Sequence, residues 1–232
     1  MTLRHTSVKT TLDKGYATEW NANHEINYAT RITVSSHFYG RVFTGDWDLT
    51  QETSTTATAV TIVGSHVAVR LNATGGAGNF SSMRWMLQGA ASDIFGPTDL
   101  PIAYFSIDCL TPTADANTHE FGMFPSAQAL FAANNEGAYF RIGNNVLYAV
   151  TGTGAAETTS NLGAPDQYAV YKIEILSTSV KFYIDDLETA VATHSTNLPT
   201  NDMTIKVCTA QRAGGSNLIN MDGVGFTVLR HH

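Results

Sequence analysis

Two short arms in which apolar and polar residues alternate constrain this chain more than any other feature. In the first, Ala169, Tyr171, Ile173 and Ile175 alternate with Tyr168, Val170, Lys172 and Glu174. In the second, Val180, Phe182 and Ile184 alternate with Lys181, Tyr183 and Asp185. A repeat of two residues is that of a strand with one buried and one wetter face. Ser177, Thr178 and Ser179 supply a turn between the arms, and Asp185-Asp186 begins the next one. The pattern is a β-meander inside a larger all-β domain.

Strand-like segments recur from residue 30 onward, near 30–35, 40–44, 57–63, 66–71, 82–88, 102–109, 119–124, 138–142, 145–150, 168–176, 179–185, 189–194, 203–209 and 218–229. Asn144-Asn145 reads as a hairpin turn between apolar arms, and Gly223 as the mark of a bulge. One helical turn is expected at 126–133 and a long surface loop at 151–166. Strands this many and this evenly spaced imply an all-β, two-sheet antiparallel β-sandwich over residues 30–232. Residues 1–29 lack sustained alternation and carry few large side chains, Tyr16, Trp20 and Ile26 among them. They read as an extended N-terminal arm that packs on its own domain or on a neighbouring subunit.

Charged residues are only 14% of the chain, against roughly 25% in ordinary globular proteins. Such a surface suits extracellular or virion faces and close subunit packing. With 13 basic and 20 acidic residues and no Lys/Arg cluster, the chain lacks the basic stripe that nucleic-acid binding requires. No apolar run reaches the ~18 residues of a membrane span, so membrane insertion is not expected. The start has no apolar stretch of the secretory-leader kind, which fits a mature chain without its leader and equally a virion protein that reaches the outside by assembly and lysis. Cys109 and Cys208 are either two buried thiols or a disulfide.

Three segments carry a family resemblance: residues 138–151, residues 168–200 and residues 218–229. With the Phe182–Asp185 strand end, the Val191–His194 strand and the Asn197–Thr200 loop, they resemble the C-terminal half of concanavalin A-like lectin/glucanase (laminin G-like) jelly-roll domains. The resemblance implies that jelly-roll fold over about the last 100 residues. A second segment, residues 16–26, is similar to one near the N-termini of tailed-phage and archaeal-virus structural proteins.

Laminarinase-type enzymes of the first family carry carboxylates in an E-x-D-x-x-E pattern on one strand, and retaining hydrolysis needs two carboxyls roughly 5–5.5 Å apart. No such triplet occurs here; Asp108, Glu174, Asp185 and Asp186 read as solvated strand acids or turn caps. His24-Glu25 and His119-Glu120 lack the second histidine of a zinc motif, since Tyr28 and Met123 stand there. The expectation is therefore a non-enzymatic virion surface or appendage protein of decoration, capsid-associated or tail-fibre type. Its partners would be copies of itself, other virion proteins and host cell-surface glycans. The alternatives are a carbohydrate-binding module of an extracellular cellular protein, and a glycoside hydrolase or lyase with an unrecognised site.

Glycan recognition uses loop amides with aromatic and planar polar groups, which makes Asn134, Asn135, Tyr139 and Arg141 the candidates. Tyr16, Trp20 and Ile26 are the candidates for assembly through the arm. No cofactor or structural metal is expected. Calcium, common in lectin-like sandwiches, would find its one close acid pair at Asp46 and Asp48.

Overall fold

In the computed structural model of the chain, residues 29–37, 47–51, 56–62, 66–74, 80–85, 95–108, 117–128, 131, 133–166, 168–211 and 216–231 are described. Their strands are β1 (Ala29–His37), β2 (Trp47–Gln51), β3 (Thr56–Ile62), β4 (His66–Thr74), β5 (Phe80–Trp85), β6 (Ile102–Asp108), β7 (Asn117–Phe124), β8 (Gly137–Gly143), β9 (Val146–Gly152), β10 (Glu157–Gly163), β11 (Tyr168–Ile175), β12 (Val180–Ile184), β13 (Ala192–His194), β14 (Thr204–Gln211) and β15 (Ser216–His231). They form two antiparallel sheets. One is seven-stranded, in the order β10-β9-β8-β7-β14-β5-β2; the other is eight-stranded, in the order β13-β12-β11-β6-β15-β4-β3, with β1 also on β15. The fold is the expected β-sandwich.

Alternation decides which side chains meet between the sheets. In β11 the set Ala169, Tyr171, Ile173 and Ile175 is buried, while Val170, Lys172 and Glu174 are partly exposed and Tyr168 is exposed. Facing them, Phe121 and Met123 of β7 and Phe140 and Ile142 of β8 point inward. Aromatic rings centre this core. Phe121 lies 5.5 Å from Phe105 and from Phe140, and 4.9 Å from Tyr171; Phe140 lies 5.3 Å from Phe182. Truncating one such buried phenylalanine costs roughly 3–5 kcal/mol.

The turns follow their residues. Asn144 and Asn145 adopt φ of 52° and 57°, the left-handed pair that a two-residue hairpin demands. Leu176 N donates to Ser179 O at 2.8 Å across the β11–β12 turn, and the register of β15 slips between Met221 and Gly223 as the glycine suggested.

Two expectations need correction. Residues 151–166 are not one long loop, because β10 occupies 157–163. Of its inward residues Thr158 and Ser160 are bonded to Thr196 and His194 and Leu162 alone packs on the core, so no apolar alternation announces it. The described part of 126–133 holds a turn, closed by Gln128 N to Pro125 O at 3.0 Å, and no helix. Phe131 and Asn134 there take φ of 61° and 56°, outside the helical region. The segment at 40–44 and the arm residues Tyr16, Trp20 and Ile26 lie outside the described residues. β2 was not anticipated; Trp47 and Asp48 belong to it, and Asp46 is outside the described residues. Cys208 is a buried free thiol, so of the two readings left open for it the disulfide falls away.

Joining the two halves of each sheet is left to β14 and β15. Among the described strands, β14 alone connects β2 and β5 to β7–β10 in the seven-stranded sheet, and β15 alone connects β1, β3 and β4 to β6 and β11–β13 in the eight-stranded sheet.

Candidate functional site

Strand pleating that sends Phe121, Met123, Phe140 and Ile142 inward sends Glu120, Gly122, Tyr139 and Arg141 to the outer face of the seven-stranded sheet. Glu120 stands opposite Arg141, and Gly122 opposite Tyr139. On the next strand Tyr148 stands opposite Arg141 and Val150 opposite Tyr139. Phe124, Tyr139 and Val150 pack as a small apolar cluster of their own, with Tyr148 half-buried against it.

Polar groups fill the rest of this face. The Glu120 carboxylate is fully buried. It accepts from Arg141 Nε at 2.9 Å, the Phe131 N–H at 3.0 Å and Asn135 Nδ2 at 3.1 Å. Arg141 reaches the other way as well, donating from Nη1 to Glu157 Oε1 at 3.1 Å and from Nη2 to the Tyr139 hydroxyl at 2.8 Å. One guanidinium therefore binds two carboxylates. Burial pulls the Arg141 proton affinity down, but Tyr139 and the Glu120 and Glu157 carboxylates more than offset it and hold it above the ordinary arginine value. Burial, with the Glu120 charge beside it, pushes the Tyr139 phenol well up, so it stays a donor.

Backbone detail makes room for this network. A Cβ on Gly122 would fall on the Ala138 carbonyl and on Cα of Tyr139, and one on Gly152 would fall on the Asn135 carbonyl. Lys206, nearly buried on β14, donates to Ser126 O at 2.8 Å and Gln128 O at 3.1 Å, which lays the 125–128 turn across the sheet. Gln128 Nε2 in turn donates to Asn135 Oδ1 at 3.0 Å. Next in the chain, the Glu136 carboxylate accepts from Thr200 N and Oγ1 and from Asn201 N and Nδ2, at 2.7–3.1 Å. Burial raises its pKa, but those four bonds outweigh burial and hold it below the usual carboxylate value.

Of the sequence candidates, the fold brings Asn135, Tyr139 and Arg141 together and leaves Asn134 as a turn residue. Asn135 and Tyr139 are fully buried. Sequence reasoning missed Glu120, which it read only as half of a failed zinc motif, and Glu157, which it placed in a loop. Solvent reaches Arg141 and Glu157, whose side chains are 22% and 23% exposed, and the half-buried Tyr148, but not Glu120. Among the described residues no three His, Cys, Asp or Glu gather as metal ligands.

No protein-family model matches the sequence. A comparison with curated proteins likewise gives no match. Solved structures do match, and they show the fold: a concanavalin A-like jelly-roll sandwich, which glucanases also have. A protein of unknown function from Shewanella oneidensis MR-1 has a TM-score of 0.64 at 12% identity, covering 99% of this chain and 97% of that one. The β-glucanase of Bacillus licheniformis has a TM-score of 0.56 at 12% identity over 85% of this chain and 98% of that one. A Mycobacterium tuberculosis protein described as an immunostimulatory antigen and pseudo β-1,3-glucanase scores 0.57 at 11% identity, covering 85% and 98%. These likenesses correct the expectation of a non-enzymatic protein, because this chain's sandwich is one that catalytic glucanases share. The virion role and the oligomer expected from the arm gain no support from them.

Proposed function

We propose that this chain acts on glycans, taking a neutral glucan-type polysaccharide on the outer face of the seven-stranded sheet at Tyr148, Arg141 and Glu157. The observation that carries the reading is the reachable Arg141–Glu157 pair beside a half-buried tyrosine. Planar charged groups donate to and accept from sugar hydroxyls, while an aromatic ring covers the apolar face of a pyranose. A protonated acid and a free carboxylate flanking the bond are what glycoside hydrolysis needs; here Arg141 already occupies both carboxylates, so the arrangement favours holding the chain. The glucanase neighbours supply the ligand class. Such a polysaccharide lies outside the cell, which is where this reading puts the protein.

Affinity electrophoresis in gels containing mixed-linkage β-glucan or β-1,3-glucan tests it, with reducing ends measured in parallel. Retardation weakened at least tenfold by Tyr148→Ala and Glu157→Gln supports the site, and release of reducing ends would add turnover to it. Mobility unchanged by either polysaccharide would overturn the proposal.

A further inference from the structure

A second polar cluster lies at the open edge of the sandwich, between β10 of one sheet and β13 of the other. His194 of β13 is 3% exposed and packs its ring on Phe182, centroids 5.2 Å apart. Its Nδ1 lies 3.1 Å from Thr151 Oγ1 of β9, and its Nε2 lies 3.0 Å from Ser160 Oγ of β10. The hydrogen-bond directions here are fixed by one contact. Thr151 Oγ1 donates to the Thr196 carbonyl at 3.2 Å, and a carbonyl can only accept. The single hydroxyl proton being spent, Thr151 can only accept from His194, which puts the imidazole proton on Nδ1. Nε2 then presents a lone pair, and Ser160 donates to it. A half-buried serine, a neutral histidine facing it and a third group orienting that histidine form the constellation that activates a hydroxyl. Around it, Thr158, Thr196 and Asn197 keep this edge polar: Asn197 Nδ2 donates to Thr158 Oγ1 at 3.0 Å, and the Thr158 and Thr196 hydroxyls lie 2.8 Å apart.

We propose that Ser160 is a nucleophile with His194 as its general base and Thr151 as the positioning residue, and that this edge accepts small carboxylic esters. Ser160 Oγ attacks the ester carbonyl carbon as its proton passes to His194 Nε2. The carbon–oxygen bond to the leaving alcohol then breaks, and the alcohol takes the proton from Nε2. Water, deprotonated by the same nitrogen, releases the carboxylic acid and restores the serine. Nothing is oxidised or reduced. Threonine orients the base without the negative charge that a carboxylate would place beside the imidazolium; removing that charge from a serine–histidine pair costs up to about 10⁴ in rate. The activity is therefore sought with reactive acyl donors.

The test treats the full chain with a fluorophosphonate probe and with p-nitrophenyl acetate, reading the adduct by intact mass and peptide mapping. The expected result is one adduct, on Ser160, absent in Ser160→Ala and formed at least tenfold more slowly in His194→Gln. Thr151→Val should slow labelling and shift its pH profile, and Thr151→Ser should restore both, which a purely structural threonine would not do. Burial holds His194 below its ordinary 6.5, so labelling should be flat above that pH and fall beneath it. Labelling of Ser160→Ala equal to the wild type, with both folded by circular dichroism, would overturn the proposal. So would a wild type that acquires no adduct. Labelling and glucan retardation are read separately on the same chain, so a failure of the ester site and a failure of the glycan face are distinguishable.

Discussion

Replacing His119 by leucine should make the protein markedly less sensitive to acid. His119 is fully buried on β7, directly opposite Thr209 of β14, and among the described residues neither ring nitrogen nor the Thr209 hydroxyl has a hydrogen-bond partner. Burial lowers its pKa from 6.5 to about 3. A folded-state value below the unfolded one means that, between those limits, only the unfolded chain takes up the proton. Stability is thus intact above pH 6.5 and drains away as the pH falls toward 3. Each pH unit in that window is worth roughly 1.4 kcal/mol, so the full effect is about 5 kcal/mol and the part lost by pH 4 about 3 kcal/mol. Urea unfolding followed by tryptophan fluorescence, at pH 7.5 and pH 4, measures it for wild type and His119→Leu. Other titrating groups act on both proteins and cancel in the difference. The stability gap between them should move by about 3 kcal/mol in favour of the leucine variant at pH 4. A gap that stays constant within about 0.5 kcal/mol would mean that His119 finds a proton acceptor or water at low cost, and the reasoning would fail.

Arg141→Met should lose about 3–5 kcal/mol in the same unfolding assay, because the fully buried Glu120 would lose its ion pair with Arg141. Gly122→Ala should cost about 2–3 kcal/mol or abolish folding, since the new methyl falls on backbone of β8 rather than on a movable side chain; soluble yield and melting temperature check it. Glu136→Gln should cost about 1–3 kcal/mol at pH 7. The carboxylate's pKa is depressed in the folded state, so that difference should vanish as pH falls below the folded value, which a melting series from pH 7 to pH 3 would show.

Much of the architecture was legible because core strands obey the period-two rule. Tyr171 and Phe182 announce themselves as core by their spacing, and Asn144-Asn145 by the φ values that only such residues adopt readily. β10 was hidden for a physical reason: its backbone ladder with β9 holds it in place, while its inward Thr158 and Ser160 are satisfied by partners 38 and 34 residues away. The polar face shows the same limit. Tyr139 and Arg141 were visible as a pair on one side of a strand. That Glu120 and Glu157 would meet at Arg141 depends on the registers of β7, β8, β9 and β10, and pairing between strands leaves no mark in a single sequence. Proton placement on His194 was further still from view, since it rests on one hydroxyl pointing at one carbonyl.

The joining role of β14 and β15 bears on how the molecule is made. A ribosome delivers β1–β5 and then β6–β13, yet among the described residues no strand of the first group hydrogen-bonds to a strand of the second in either sheet. Until β14 and β15 emerge from the exit tunnel the nascent chain holds two sets of unfinished edges, open to pairing with the wrong neighbour. Closure must wait for β15 to leave the tunnel, and it rests on contacts far apart in sequence, which are the slow kind. Ribosome-stalled chains that withhold β14 and β15 should therefore be protease-sensitive throughout, and release of those two strands should protect both halves together.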